Sequence, residues 1–201
     1  MLQNKIKMDF ELSEEHIMIQ KMARDFAENE LLPGVIDRDE NQIMATEFLK
    51  KMGELGLMGM MVDPKYNGGG MDSISYVLAM EEISKIDASA SVCMSVNNSL
   101  YSWGIETFGT EEQKEKYLKP AATGEKIGAF LLSEPEAGSD ATSQRTTAED
   151  KGDYYLMNGI KNWITNGNTA SFYIVIAQTD AEKKHRGINA FIVEKDSPGV
   201  E

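Results

Sequence analysis

The chain has 201 residues, 41% hydrophobic and 26% charged, a composition that supports a folded core and leaves room for one large domain or two small ones. Twenty Lys and Arg stand against 33 Asp and Glu, and the formal net charge of -13 excludes a general affinity for nucleic-acid phosphates. The single cysteine, Cys93, rules out an intrachain disulfide. No apolar run approaches the roughly 18 residues of a membrane span, so a reducing, cytoplasmic setting without membrane contact is expected.

From the N-terminus, Met1 to Met8 lacks the apolar core of a signal peptide. Ser13 predicts an N-cap, Glu14 and Glu15 suit the positive end of a helix dipole, and Ile19, Met22, Ala23 and Phe26 keep helical spacing until Leu32-Pro33-Gly34. A shorter helix is predicted from Thr46 to about Leu55. The methionines at 58, 60 and 61 then read as core filling rather than a plastic binding surface. After the turn Asn67-Gly68-Gly69-Gly70, Asp72 or Ser73 caps a helix that persists to about Ile86. Ser89 to Ser102 is apolar and rich in small residues, which predicts a helix buried on most sides, with Cys93 a small buried thiol. Thr110 and Gln113 form a capping box ahead of a last helix, which Pro120 is expected to end.

Beyond residue 126 the period changes from helical to alternating. Strands are predicted at Ile127 to Leu132, Arg145 to Thr147, Tyr154 to Asn158, Lys161 to Thr165, Phe172 to Ala177 and Ile188 to Val193. Asn158-Gly159 signals a type I′ hairpin, and the charged stretch Asp180 to Arg186 a hairpin loop. Helices followed by strands imply an α+β chain: an all-helical domain over 1–125, then an antiparallel sheet or barrel domain over 126–201. His16 and His185 read as solvated or capping residues, and no metal-ligand spacing is present.

Two stretches carry the chemistry. In Leu131-Leu132-Ser133-Glu134-Pro135-Glu136-Ala137-Gly138-Ser139-Asp140 an apolar strand pattern breaks at proline into a loop ending in Gly-Ser-Asp. Its N–H groups and the Ser139 hydroxyl suit an anion or a polar ring edge, although an ordinary turn fits the same residues. In Lys161-Asn162-Trp163-Ile164-Thr165-Asn166-Gly167 an indole and a hydroxyl two residues apart share one side of the predicted strand. That suits a flat heterocycle, and equally a core Trp beside a cross-strand Thr.

Together these two motifs, about thirty residues apart behind a helical region, resemble the acyl-CoA dehydrogenase family of flavoproteins. The resemblance runs along essentially the whole chain. It includes Asp9-Phe10-Glu11-Leu12-Ser13-Glu14-Glu15, Pro64-Lys65-Tyr66-Asn67-Gly68-Gly69-Gly70-Met71 and Phe108-Gly109-Thr110-Glu111-Glu112-Gln113-Lys114, while Val96-Asn97-Asn98-Ser99-Leu100 looks most like short-chain, butyryl-type members. Leu131 departs from the Ala, Gly or Cys usual at that place. The resemblance implies FAD contacts at Phe130, Leu131, Leu132, Ser133, Gly138, Ser139, Trp163, Ile164 and Thr165, with Thr165 near flavin N5 and Trp163 over the ring. It implies CoA contact at Ser139 and an acyl pocket lined by Ser99 and Leu100. The implied reaction is α,β-dehydrogenation of an acyl-CoA to the trans-2-enoyl-CoA, with electrons passed to an electron-transferring flavoprotein by a homotetrameric full-length form. The family's catalytic glutamate lies in a C-terminal helical bundle, so a truncated chain, inactive alone, is expected. An oxygen-using acyl-CoA oxidase and a non-catalytic flavin- or acyl-CoA-binding module are the rival readings.

Overall fold

A computed structural model describes residues 10–44 and 46–201. Met1 to Met8, expected to hold no signal peptide, and Asp9 of the opening motif lie outside the described residues. Helix α1 (Glu14–Phe26) starts where expected. The Ser13 side chain accepts the His16 N–H, and the His16 ring takes the Ser13 N–H in return, so the histidine is a capping residue. The helix runs on through a π-helical stretch, Ala27–Leu31. After Gly34, at φ 75°, an unforeseen short α2 (Val35–Glu40) precedes α3 (Thr46–Glu54). Asp72 caps α4 (Ser73–Ile86), and Asp87 caps α5 (Ala88–Ser95).

The predicted buried helix is longer than expected, continuing from α5 through a π stretch, Val96–Ser102, into α6 (Trp103–Phe108). The Thr110–Gln113 capping box opens α7 (Glu111–Gln113), which leads through π-helical Lys114–Leu118 to α8 (Lys119–Ala122). Pro120 therefore does not end this helix. It sits in the first turn of α8, directly after the wider π turn, where its missing N–H and its ring are tolerated.

A salt bridge ties α1 to α4. Glu82, buried to 3% exposure, receives Arg24 through two bonds of 3.0 and 2.9 Å, with Gln20 and Lys85 each at 3.0 Å. Arg24 hydrogen bonding outweighs burial and holds the Glu82 carboxyl down at about 2. A carboxylate depressed on folding stabilises the fold fully above its ordinary value near 4.5 and loses that contribution as pH falls towards 2. Acid unfolding should therefore steepen between these two values. Glu82→Gln should flatten that dependence and lower stability at pH 7 by about 2 kcal/mol, read by urea titration across the pH range.

Five strands follow: β1 (Gly128–Leu131), β2 (Thr147–Asp150), β3 (Tyr155–Asn158), β4 (Phe172–Gln178) and β5 (Ile188–Glu194). β5 covers one edge of β4 in antiparallel register. β1 and β2 share the other edge, both parallel to it, with Thr147 opposite Gln178. The sheet is thus mixed where an antiparallel one was expected. β2 begins at Thr147 rather than Arg145, because the amides of Arg145 and Thr146 are taken by the Glu134 carboxylate. Among the described residues β3 pairs only with β2, and Asn158-Gly159 makes no hairpin. Gly159 is required for close approach instead: a Cβ there would lie 2.2 Å from the Thr146 hydroxyl. The β4–β5 connection, a 3-10 segment over Ala181–Gly187, is the predicted hairpin loop.

Alternation along the strands sorts the sheet into two faces. Phe130, Ile174, Ile176 and Ile192 pack towards Tyr101, Ile105, Leu118 and Ala121 of the helical layer. Leu131, Tyr173, Val175 and Val193 line a cavity of about 680 Å³ on the other face. Met58 and Met60 are fully buried, as is most of Cys93, whose thiol burial pushes up to about 12.

Candidate functional site

The two motifs meet at the end of β1. Leu131 closes the strand, and the chain leaves β4 through Leu132 and Ser133. Glu134 and Ala137 then exchange backbone bonds of 3.1 and 3.2 Å, a tight turn with Pro135 and Glu136 at its tip. Beyond it Gly138 and Ser139 are exposed, and a Cβ on Gly138 would meet nothing within 4 Å. Asp140 gathers the hydroxyls of Thr142 and Ser143, which hold its carboxyl below the usual range.

The second motif is not a strand. Lys161 turns inward, and the chain from Trp163 to Ala170 is a series of turns, with Gly167 N–H donating to Ile164 at 3.0 Å and Ala170 N–H to Asn166 at 2.7 Å. Trp163 and Asn166 both adopt left-handed backbone, φ 60° and 66°. For a residue as bulky as Trp this conformation is strained by about 1 kcal/mol or more, and it lifts the indole to 93% exposure. Trp163 and Thr165 therefore do not share a strand face: the indole is free and Thr165 is half-buried. Asn166, itself buried, anchors the loop by donating to Gly128 O at 3.2 Å and Cys93 O at 3.4 Å, and the Tyr173 hydroxyl donates to Gly167 O at 3.0 Å.

The residues that hold the two motifs together were not among the predicted ones. Lys161 Nζ donates to Leu132 O at 2.9 Å, Glu134 Oε1 at 2.7 Å and Gln144 Oε1 at 2.9 Å. Asn162 N–H donates to Ser133 O at 2.9 Å. Burial pushes the Glu134 carboxyl up, but the Arg145 amide, Lys161 and the Thr146 amide outweigh it and hold it down at about 2. The signal in the sequence was a lone base, Lys161, inside one motif and an acid, Glu134, among three inside the other.

Phe130 is half-buried on the face towards the helices, and Leu131 and Ile164 line the sheet cavity. Ser99 and Leu100 lie in the π stretch that packs along β1. The Ser99 hydroxyl is bound back to Ser95 O at 2.8 Å, and Leu100 is 42% exposed. By contrast, the hydroxyls of Ser133, Ser139 and Thr165 and the Trp163 indole N–H make no hydrogen bond among the described residues. Neutral donors beside an exposed flat ring fit a planar heterocycle carrying acceptors on its edge. Among these residues no group of three His, Cys, Asp or Glu is placed to hold a metal.

Comparison with known proteins bears on this arrangement. The family described as acyl-CoA dehydrogenase, N-terminal domain, matches residues 13–125, and the acyl-CoA dehydrogenase middle domain matches residues 129–201. A short-chain specific acyl-CoA dehydrogenase of Clostridium acetobutylicum is 46% identical over 192 residues, covering 96% of this chain and 51% of that relative. The butyryl-CoA dehydrogenase structure from Megasphaera elsdenii superposes with a TM-score of 0.92 at 45% identity, covering 96% of this chain and 51% of that one. A glutaryl-CoA dehydrogenase from Mycobacterium smegmatis, solved in complex with FADH2, has a TM-score of 0.88 and 37% identity, over 94% of this chain and 47% of its own. The chain spans about half the length of these relatives. With helical and strand regions both matched, the chain belongs to the acyl-CoA dehydrogenase family.

Proposed function

We propose that these residues form the helical and middle domains, 1–125 and 126–201, of an FAD-dependent dehydrogenase that oxidises a short-chain acyl-CoA to the trans-2-enoyl-CoA. The observation that carries the reading is the joining of the two motifs at the end of β1 by the Asn162–Ser133 backbone bond and Lys161, with unpartnered hydroxyls and an exposed indole in those motifs, in a chain similar to short-chain and butyryl-CoA enzymes. When bound, FAD supplies the acceptor for the substrate hydride.

The protein's own part is positioning. The backbone and hydroxyl at Leu132 and Ser133 would hold a polar edge of the flavin, with Phe130, Leu131 and Gly138 as further contacts. Trp163 and Ile164 would hold the flavin and limit water, and the Thr165 hydroxyl would donate a hydrogen bond to it that favours its taking up the hydride. Ser139 holds the ligand's polar portion, and Ser99 with Leu100 borders the acyl chain. The carboxylate that removes the α-proton is assigned by the resemblance to a helix outside these 201 residues. An electron-transferring flavoprotein as acceptor, a homotetramer and a cytoplasmic setting belong to the same reading; no helix of the described residues is long and apolar enough to cross a membrane.

The test is butyryl-CoA oxidation by the longest natural product carrying this chain, with an artificial acceptor and the flavin absorbance followed. Bleaching supports the reading, and an unbleached flavin with any acyl-CoA sinks it. In the same protein Thr165→Val should slow flavin reduction about tenfold while CoA-ester binding weakens by less than threefold, read by stopped-flow absorbance. Equal losses would remove Thr165 from that role.

A further inference from the structure

The two loops assigned to the cofactor are joined by a buried ion pair, Lys161 to Glu134, whose side chains are only 6% and 5% exposed. All three ammonium protons are used, on Leu132 O, Glu134 and Gln144, and the carboxylate also accepts the amides of Arg145 at 2.6 Å and Thr146 at 3.0 Å. Three separate pieces of chain, 132–134, 144–146 and 161–162, therefore converge on one pair of charges. Burying such a pair gives little stability over well-packed apolar side chains of the same volume. What an apolar pair could not supply is direction: donors and acceptors at fixed angles that set where each piece of chain lies.

We propose that Lys161 and Glu134 are positioning residues, holding the exit of β1 and the Trp163–Thr165 loop in register so that the free hydroxyls of both loops address one ligand. The inference rests on the flavin reading above. Neither residue touches the ligand in this scheme. Lys161 acts on Ser133 through the adjacent Leu132 carbonyl and the Asn162–Ser133 backbone bond, and on the indole through Asn162, the one residue that separates it from Trp163.

Lys161→Met, Glu134→Gln and the double variant in the longest natural product carrying this chain test this by amide hydrogen exchange, thermal melting and FAD titration followed by flavin fluorescence. Each single change should lower the melting temperature and speed exchange of the Asn162 and Arg145 amides at least tenfold. The double variant has no lone buried charge, so melting should recover while fast exchange persists and FAD binds at least tenfold more weakly than to the unsubstituted chain. If Lys161→Met does not fold, the double variant decides. Slow exchange regained together with melting, or FAD affinity unchanged beside fast exchange, overturns the proposal. No FAD uptake by the unsubstituted longest natural product would overturn the flavin reading, and the exchange response would then judge the loop-ordering role by itself.

Discussion

Asn97→Leu is expected to destabilise the protein by about 4 kcal/mol and to lower its melting temperature by about 10 °C. Asn97 is fully buried in the π stretch between α5 and α6 and uses both ends of its amide. Its Nδ2 donates to Met58 O at 2.9 Å and Ala121 O at 3.0 Å, and its Oδ1 accepts the Gly128 N–H at 2.9 Å. Leucine has nearly the same shape and no polar atoms, so it strands the Met58 carbonyl and the Gly128 amide where water does not reach, and leaves the Ala121 carbonyl with the Gly124 N–H at 3.2 Å. Each stranded group costs about 1 to 3 kcal/mol, and the leucine's own burial offsets part of the total. Because the three partners belong to a turn, a helix end and the first strand, the loss should be global. Thermal melting and urea titration check it, and a change below 1 kcal/mol would mean that the stranded groups find other partners.

A loss of at least about 3 kcal/mol is expected for Gly128→Val, from the opposite cause. A Cβ at residue 128 would stand 2.1 Å from Cγ and 2.2 Å from Cδ1 of Tyr101, whose ring is fully buried beneath β1. The backbone cannot retreat, since Asn97 holds the Gly128 N–H and Asn166 its carbonyl. Nor can the ring, which is enclosed by the face of Ile174, Ile105 and Leu118. Gly128→Ala should show a smaller version of the same loss. Tyr101→Ala in the same chain should recover part of it, so the two changes should be non-additive in a double-mutant cycle. Additive losses would show that the ring does not set the limit.

What the sequence made legible was what neighbouring residues decide among themselves. The caps at Ser13, Asp72 and Thr110, the apolar spacing of α1 and the switch to alternation after residue 126 all act within a few residues, and they fold as read. Two of the failures have a distant partner and one a local cause. Lys161 begins what looks like a strand, but Glu134, 27 residues earlier, draws it inward and the following residues become turns. Asn158-Gly159 has hairpin chemistry, yet the glycine is there to let Thr146 approach. Pro120 is a helix breaker, but the π turn before it makes room. At the candidate site both motifs were visible, and so were the groups later found without partners. Their framing by Lys161, Asn166 and Gly128 was not, because side chains from different elements settle it only when the sheet meets the helices.

The left-handed backbone at Trp163 has an energetic consequence of its own. Its strain is carried by the folded protein before any ligand arrives, held there by the Asn166 and Tyr173 anchors. A flat molecule laid on the indole thus meets a surface already shaped for it and need not spend interaction energy on rearranging the loop. Speed of capture would then be set by diffusion and alignment rather than by a closing motion, and the fold itself bears the penalty of keeping the surface ready.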